Sequence, residues 1–274
     1  AERRQIGPIG DGERSAARNS TEGWIVLRRA RVSPTAAHHR PPLSPVGRSL
    51  FDMTQPTSTD TRLDARLSSG VDAVVFDFGN VVVQWSMRAL FSEFFHTDAA
   101  VDEFLSTVLT PAENLRCDLG TPLADVVGEL VDQHPHHEEP LLAWRDRWIE
   151  TIPGMVDGTE ALIDDLLAAG HRVLGLSNFS TETFALTLER YPVFHKFDDY
   201  VLSGAVGMAK PDPRIYELLL ERHELEAHRC VFLDDSLANV EAATALGIRS
   251  HHFTTAATAR RWLIDDIGVV GLGG

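Results

Sequence analysis

At 274 residues the chain has room for one large domain, or for a core carrying a smaller insert. Its 43% hydrophobic and 24% charged residues fit an ordinary globular protein, and no apolar run reaches the length of a membrane-spanning helix. A net charge of -15 argues against non-specific binding to nucleic acid.

That charge is unevenly spread. Residues 1–52 carry nine Arg against five acidic side chains, so the acidic excess lies downstream. Across residues 1–70, Arg, Ser, Thr, Pro and Gly dominate, with apolar residues such as Trp24, Ile25, Val26 and Leu27 scattered among them. So little apolar surface cannot offset the entropy of ordering, and the stretch is expected to be a disordered N-terminal extension. An over-extended reading frame with Met53 as the natural start is the favoured origin. An organellar targeting peptide and a functional tail are the alternatives, the former weakened by Pro34, Pro41, Pro42 and Pro45.

From Val71 the texture changes. Val74-Val75-Phe76 is the short apolar run of a strand buried on both faces. Residues 86–150 read as helical: Phe91, Phe94 and Phe95 share a face, as do Val101, Phe104, Leu105 and Val108. Thr121-Pro122 predicts an N-cap with proline at the first helical position, opening a helix through Gln133. A further helix is expected through Leu141, Leu142, Trp144, Trp148 and Ile149.

After Pro153-Gly154 the pattern alternates. A helix over 159–169 closed by Gly170 precedes a strand over 172–176, a helix over 181–190 and a strand near 200–203. Asp212-Pro213 opens the next helix; then come a strand over 231–233, a helix over 237–246 closed by Gly247, and a strand over 248–253. Alternating strand and helix predicts an α/β fold: a Rossmann-like, doubly wound parallel sheet with a small α-helical cap inserted after its first strand. The expected domains are the extension (1–70), the α/β core (71–84 and 151–274) and the cap (85–150).

In open α/β sheets, ligands bind beyond the carboxyl ends of the strands. Three predicted strands end there in polar residues: Val-Val-Phe-Asp77, Leu-Gly-Leu-Ser177-Asn178 and Val-Phe-Leu-Asp234-Asp235. Each alone reads blandly, as a turn former or a helix cap. Together they fall where a site should lie. Of 25 basic side chains only Lys196 and Lys210 are lysines, so the loop lysine Lys210 points to a need for a compact ammonium. Carboxylates at strand tips can hold a hard cation such as Mg2+, and a carboxylate beside it can attack phosphorus. The ammonium, the Ser177 hydroxyl and loop N–H groups would then stabilise charge on the phosphoryl oxygens.

Phe76-Asp77-Phe78-Gly79-Asn80-Val81, the Ser177-Asn178 step, Met208-Ala209-Lys210-Pro211-Asp212 and Phe232-Leu233-Asp234-Asp235-Ser236 with Asn239 resemble the four ordered motifs of the haloacid dehalogenase-like (HAD) superfamily. The likeness spans residues 71 to 255, and the helical insert resembles the cap of subfamily I. The Gly-Asn-Val form of motif one is similar to that of phosphatases acting on sugar phosphates. The resemblance implies Asp77 as nucleophile and metal ligand, with the Gly79 carbonyl and Asp235 as further ligands, Asp234 adjacent and Asn239 in support. It implies Ser177, Asn178 and Lys210 as phosphate-binding groups, Lys210 also serving catalysis, and Mg2+ as cofactor.

The implied activity is hydrolysis of a small-molecule phosphate ester, a sugar phosphate among the candidates, by a cytoplasmic monomer or weak homodimer without nucleic-acid or membrane partners. A metal-free 2-haloacid dehalogenase and a non-enzymatic binding module are the competing readings. Most phosphatases of the family carry an acidic proton donor two residues after the nucleophile, where this chain has Gly79. That departure implies a preference for easily departing leaving groups, or else a cap residue or a metal-ordered water that supplies the proton.

Other clusters read more blandly. His134, His136 and His137 with Glu138 and Glu139 are expected in a solvated loop, and His251-His252 as surface or core residues. Asn114, Arg116 and Asp118 are expected in a cap loop open to the substrate, and Trp144, Arg145 and Trp148 as cap packing. Cys117 and Cys230 fit no metal-ligand spacing and suggest a reducing interior.

Overall fold

In the computed structural model, which describes residues 70–272, the first apolar run forms strand β1 (Ala73–Phe76), with all of its residues buried. Unbroken burial marks a strand covered on both faces. Around it lie β2 (Arg172–Ser177), β3 (Asp199–Leu202), β4 (Cys230–Asp234) and β5 (Arg249–His252), all parallel, in the order β3-β2-β1-β4-β5. The winding reverses between β1 and β4, so a crevice opens beyond the carboxyl ends of those two strands. Phe76 lies level with Gly175 on one side and Leu233 on the other, which brings the tips of β1, β2 and β4 to one height.

Between β1 and β2 the chain builds a helical cap from α1 (Met87–Phe91), α2 (Asp98–Thr107), α3 (Pro111–Asp118), α4 (Leu123–Gln133) and α5 (Glu138–Asp146). Leu123, Val126, Val127 and Leu130 recur at helical spacing along one face of α4 and are buried with Phe91, Phe104, Leu141 and Trp144. The helical pieces are shorter than the periodicity predicts. Phe94 and Phe95 lie beyond the end of α1, yet the Phe95 ring still packs on Phe104 at 5.1 Å. The N-cap of α4 is Pro122 rather than Thr121. Trp148 and Ile149 form a 3-10 turn rather than a continuation of α5, because Arg147 (φ -127°) leaves the helical region.

Helices α6 (Thr159–Ala168), α7 (Thr181–Arg190), α8 (Ser203–Val206), α9 (Pro213–His223), α10 (Leu237–Ala245) and α11 (Ala256–Asp265) complete the core. Successive strand residues face opposite sides. Val74 and Phe76 therefore pack with Leu162, Leu166 and Leu263 of α6 and α11, whereas Ala73 and Val75 pack with Ile215, Leu219 and Ala243 of α9 and α10. This is the doubly wound arrangement. Helices α8 and α11 have no counterpart among the predicted elements. In α11 the buried stripe is Ala256, Ala259 and Leu263, too short of large apolar residues for periodicity to reveal.

The expected N-terminal extension falls outside the described residues, apart from Gly70. No helix among the described residues is long and apolar enough to cross a membrane.

Candidate active site

The site grows from the end of β1. The backbone N–H of Asp77 donates to the Leu233 carbonyl at 2.9 Å, anchoring the residue to the tip of β4. Its side chain accepts three hydrogen bonds on one oxygen, Oδ1: from the Phe78 N–H at 2.7 Å, the Ser177 hydroxyl at 2.7 Å and Lys210 Nζ at 2.8 Å. Oδ2 receives none of them. The carboxylate is therefore oriented by one oxygen while the other stays available. Burial pushes the Asp77 carboxyl up to about 6; Lys210 pulls against this shift and Asp234 adds to it.

Phe78 holds this turn from below. Its ring packs against Phe184, Phe194, Phe197 and Tyr200, with centroids 4.8–6.2 Å away. It can do so because β2 carries Gly175 beneath it: a Cβ there would meet the Phe78 ring at 2.3 Å.

Lys210 is buried and bridges two carboxylates, Asp77 at 2.8 Å and Asp234 at 2.6 Å. Burial disfavours its charge, but the two aspartates outweigh burial and raise its pKa. The Asn178 side chain clamps the lysine loop: its Oδ1 accepts from the Lys210 N–H at 2.7 Å, and its Nδ2 donates to the Lys210 carbonyl at 2.9 Å. Asp234 is fully buried and occupied at both oxygens, accepting from Lys210, the Ser236 N–H and Asn239 Nδ2.

Asp235 accepts from Asn80 Nδ2 at 3.1 Å, and its pKa is raised by burial, with Asn80 opposing. One oxygen from each of Asp77, Asp234 and Asp235 lies within 4.8 Å of the others. Three carboxylates facing a single ammonium leave an excess of negative charge. The donors are hard oxygens, the set that suits Mg2+. Together with the cap, the site encloses a cavity of about 410 Å³, within the usual range for small-molecule sites.

Residues 71–247 match the family model described as haloacid dehalogenase-like hydrolase. The chain belongs to that family. A phosphatase of Mycobacterium tuberculosis is 31% identical over 119 residues, 43% of this chain and 54% of that protein. The sesquiterpene phosphatase astK of Aspergillus oryzae is 33% identical over 94 residues, 34% of this chain and 48% of that protein. The chain thus spans about half the length of these curated relatives. Among solved structures, a HAD family enzyme from Bacteroides thetaiotaomicron shares the fold with a TM-score of 0.56 at 19% identity, covering 68% of this chain and 94% of that chain.

Every residue that the HAD resemblance singled out reaches this one site. Asp77, Gly79, Ser177, Asn178, Lys210, Asp235 and Asn239 border the cavity, and Asp234 lies behind Lys210. Two further residues belong with them. Asn80, in a left-handed backbone conformation (φ 54°), accepts from the Trp85 N–H at 3.0 Å and so links the motif-one turn to Asp235. An Asn in a tight turn after a strand is the signal that could have drawn attention to it. His252 places Nε2 2.9 Å from the Asp235 carbonyl, a tether that depends on β5 pairing with β4 and so has no local signal.

The remaining candidates divide. Asn114, Arg116 and Asp118 lie on helix α3 rather than in a loop, because Pro111 starts a helix there. Asn114 and Asp118 border the cavity, whereas Arg116 turns to Glu113 and Glu129. Of the tryptophan face, Trp144 is core and Arg145 pairs with Asp146, but Trp148 reaches the cavity wall. The histidine-rich run forms a 3-10 turn at Pro135–His137, and His137 packs on Phe104 at 5.2 Å.

Proposed function

We propose that the chain is a Mg2+-dependent phosphatase that cleaves a small-molecule phosphate monoester through an aspartyl-phosphate on Asp77. The observation that carries this reading is the division of labour on Asp77: three donors fix Oδ1, and Oδ2 is left to attack. Lys210 and the Ser177 hydroxyl stand where they would meet the phosphoryl oxygens, with the Asn178 backbone N–H beside them. The carboxylates of Asp77 and Asp235 and the carbonyl of Gly79 would hold the cation, with Asp234 adjacent. When bound, Mg2+ neutralises charge on the phosphoryl group. A HAD family enzyme of the same fold from Bacteroides thetaiotaomicron has been crystallised with magnesium and inorganic phosphate.

In this reading the core is 71–84 with 151–274, and the cap is 85–150. The cap side of the cavity presents Trp85, Pro111, Leu115 and Trp148, and among the described residues no cation other than Lys210 borders it. Such a wall suits an uncharged alcohol, sugars included, better than a second phosphate. Cys117 and Cys230 are buried and unpaired, in keeping with a cytoplasmic setting.

The test is a panel of phosphate monoesters and 2-haloacids assayed with Mg2+ and with EDTA. Phosphatase turnover lost in EDTA and restored by Mg2+ is the expected result. Halide release in chelated enzyme would overturn the proposal in favour of a dehalogenase, and no turnover of either class would favour a binding module.

A further inference from the structure

Cleaving a phosphate ester leaves an alkoxide that needs a proton. Among the described residues, the acidic and basic side chains bordering the cavity are Asp77, Asp118, Lys210 and Asp235. Asp77 is the proposed nucleophile. Lys210 is pinned between two carboxylates that hold its charge. Asp235 leans on Asn80 and belongs to the proposed cation site. Gly79 has no side chain to offer. Asp118 is left without a role in that chemistry.

Its placement is unusual for an aspartate with only a structural part to play. Asp118 is the last residue of α3, where the negative end of the helix dipole disfavours a carboxylate. Arg116, the basic residue of that turn, is taken by Glu113 and Glu129. Yet Asp118 is firmly held. Asn114 Nδ2 donates to its Oδ2 at 2.8 Å, and the Ser180 backbone N–H is near enough to favour the ionised carboxylate. Its carbonyl accepts from the Ser203 hydroxyl, which in turn accepts from the Phe179 N–H at 2.8 Å. Phe179 and Ser180 lie in the loop after β2, the loop that follows Ser177, and Ser203 links Asp118 to it. A carboxyl group of the cap is thus fixed to the phosphate-binding side of the core and borders the same cavity as Asp77.

We propose that Asp118 is the proton donor to the leaving oxygen and, in the second half-reaction, the base that activates water. The proposal rests on the phosphatase reading above. In the first step an Asp77 oxygen bonds to phosphorus, the bond from phosphorus to the leaving oxygen breaks, and the Asp118 proton passes to that oxygen. This releases the alcohol and leaves Asp118 ionised. In the second step water bonds to phosphorus, its proton passes to Asp118, and the bond from Asp77 to phosphorus breaks. Inorganic phosphate departs, Asp77 is a carboxylate again and Asp118 is again protonated.

An acid that works in both directions needs a pKa near the operating pH. Burial pushes the Asp118 carboxyl up to about 7; the Ser180 N–H opposes this and Asp77 adds to it. The other charged or titratable groups nearby are Lys210 beyond Asp77, Glu182 at the start of α7, which accepts from the Leu123 N–H, and the Cys117 thiol, pushed up to about 12 and so neutral.

The experiment compares a primary alkyl phosphate with 2,4-dinitrophenyl phosphate, whose leaving group needs no proton, in Mg2+-loaded wild type and in Asp118→Asn. In the variant, kcat/KM for the alkyl ester should fall by about 10²–10⁴, with the aryl ester changed by less than about tenfold. In wild type alone, kcat/KM for the alkyl ester should decline above a pKa near 7, and the aryl ester should show no such limb. Equal losses on both esters, or identical pH profiles in wild type, would overturn the assignment; the second comparison needs no variant to fold. If wild type hydrolyses neither ester with Mg2+, the phosphatase reading itself fails, and this inference with it.

Discussion

In the proposed reaction, a buried aspartate that attacks phosphorus near neutral pH must stay ionised against the cost of desolvation. Asp77 manages this through Lys210 and Ser177, which oppose the upward push of burial and hold it to about 6. Asp77→Asn should keep the shape of the group and its neighbours while removing the attacking charge. Loss of a nucleophile typically costs roughly 10⁴–10⁶ in kcat, and burst kinetics should show no phosphoenzyme. A variant within tenfold of wild type would require water as the attacking group. Asp118 makes a second residue-scale prediction. Its folded pKa of about 7 lies above the usual 3.8, so the native state holds this proton longer than the unfolded chain does. The stability tied to that proton is present below about 3.8 and is lost as the pH rises through about 7. Denaturant midpoints for Asp118→Asn should therefore rise relative to wild type from pH 4.5 to pH 8. A difference that does not vary with pH would show that ionisation of Asp118 is not opposed by the fold.

At the scale of elements, the proposed nucleophile is held by packing beneath it. The Phe78 ring lies over Gly175 on β2, where an added Cβ would sit 2.3 Å from the ring and 2.9 Å from the Tyr200 Cβ. Gly175→Ala should therefore destabilise the fold by about 1–3 kcal/mol, the usual cost of overpacking, and lower kcat because Phe78 adjoins Asp77. Chemical denaturation and turnover measure the two effects. Adding Phe78→Leu should recover part of the stability, since the two residues share one volume and their effects are not additive. Unchanged stability in Gly175→Ala would mean that the strand can shift to make room. Gly79 is different: among the described residues a Cβ there would meet the Trp85 Cβ at 3.7 Å, an ordinary contact, so alanine can be accommodated at that position.

For the molecule as a whole, the proposed cation site at the switch point would couple cation binding to stability. A ligand that binds only the native state stabilises it by about 2.7 kcal/mol at a hundred times its Kd. Mg2+ should raise Tm in a concentration-dependent way, and Asp235→Asn should shrink the shift; no response in wild type would remove the cation from the proposed site. Much of this architecture was legible in the sequence. The half-exposed β3 and the polar β5 were placed by the alternation of strand and helix. Apolar runs bounded by turn residues located β1, β2 and β4, because a strand covered on both faces must be largely apolar. The polar residues at their ends named Asp77, Ser177, Asp234 and Asp235, because a parallel sheet puts all its carboxyl ends on one side. Helix α11 escaped because its buried stripe is largely alanine, and the cap helices were drawn too long because local backbone breaks such as Arg147 leave no periodic trace. What only the tertiary structure decided is which groups are already taken. Asn178 is engaged with the lysine loop, Arg116 with two glutamates and Asp234 with Lys210, whereas Asp118 is brought from the cap to the cavity with its pKa raised by burial. Apart from the local Arg116–Glu113 pair, these pairings join residues far apart in the chain, and neither periodicity nor local spacing encodes the distance between them.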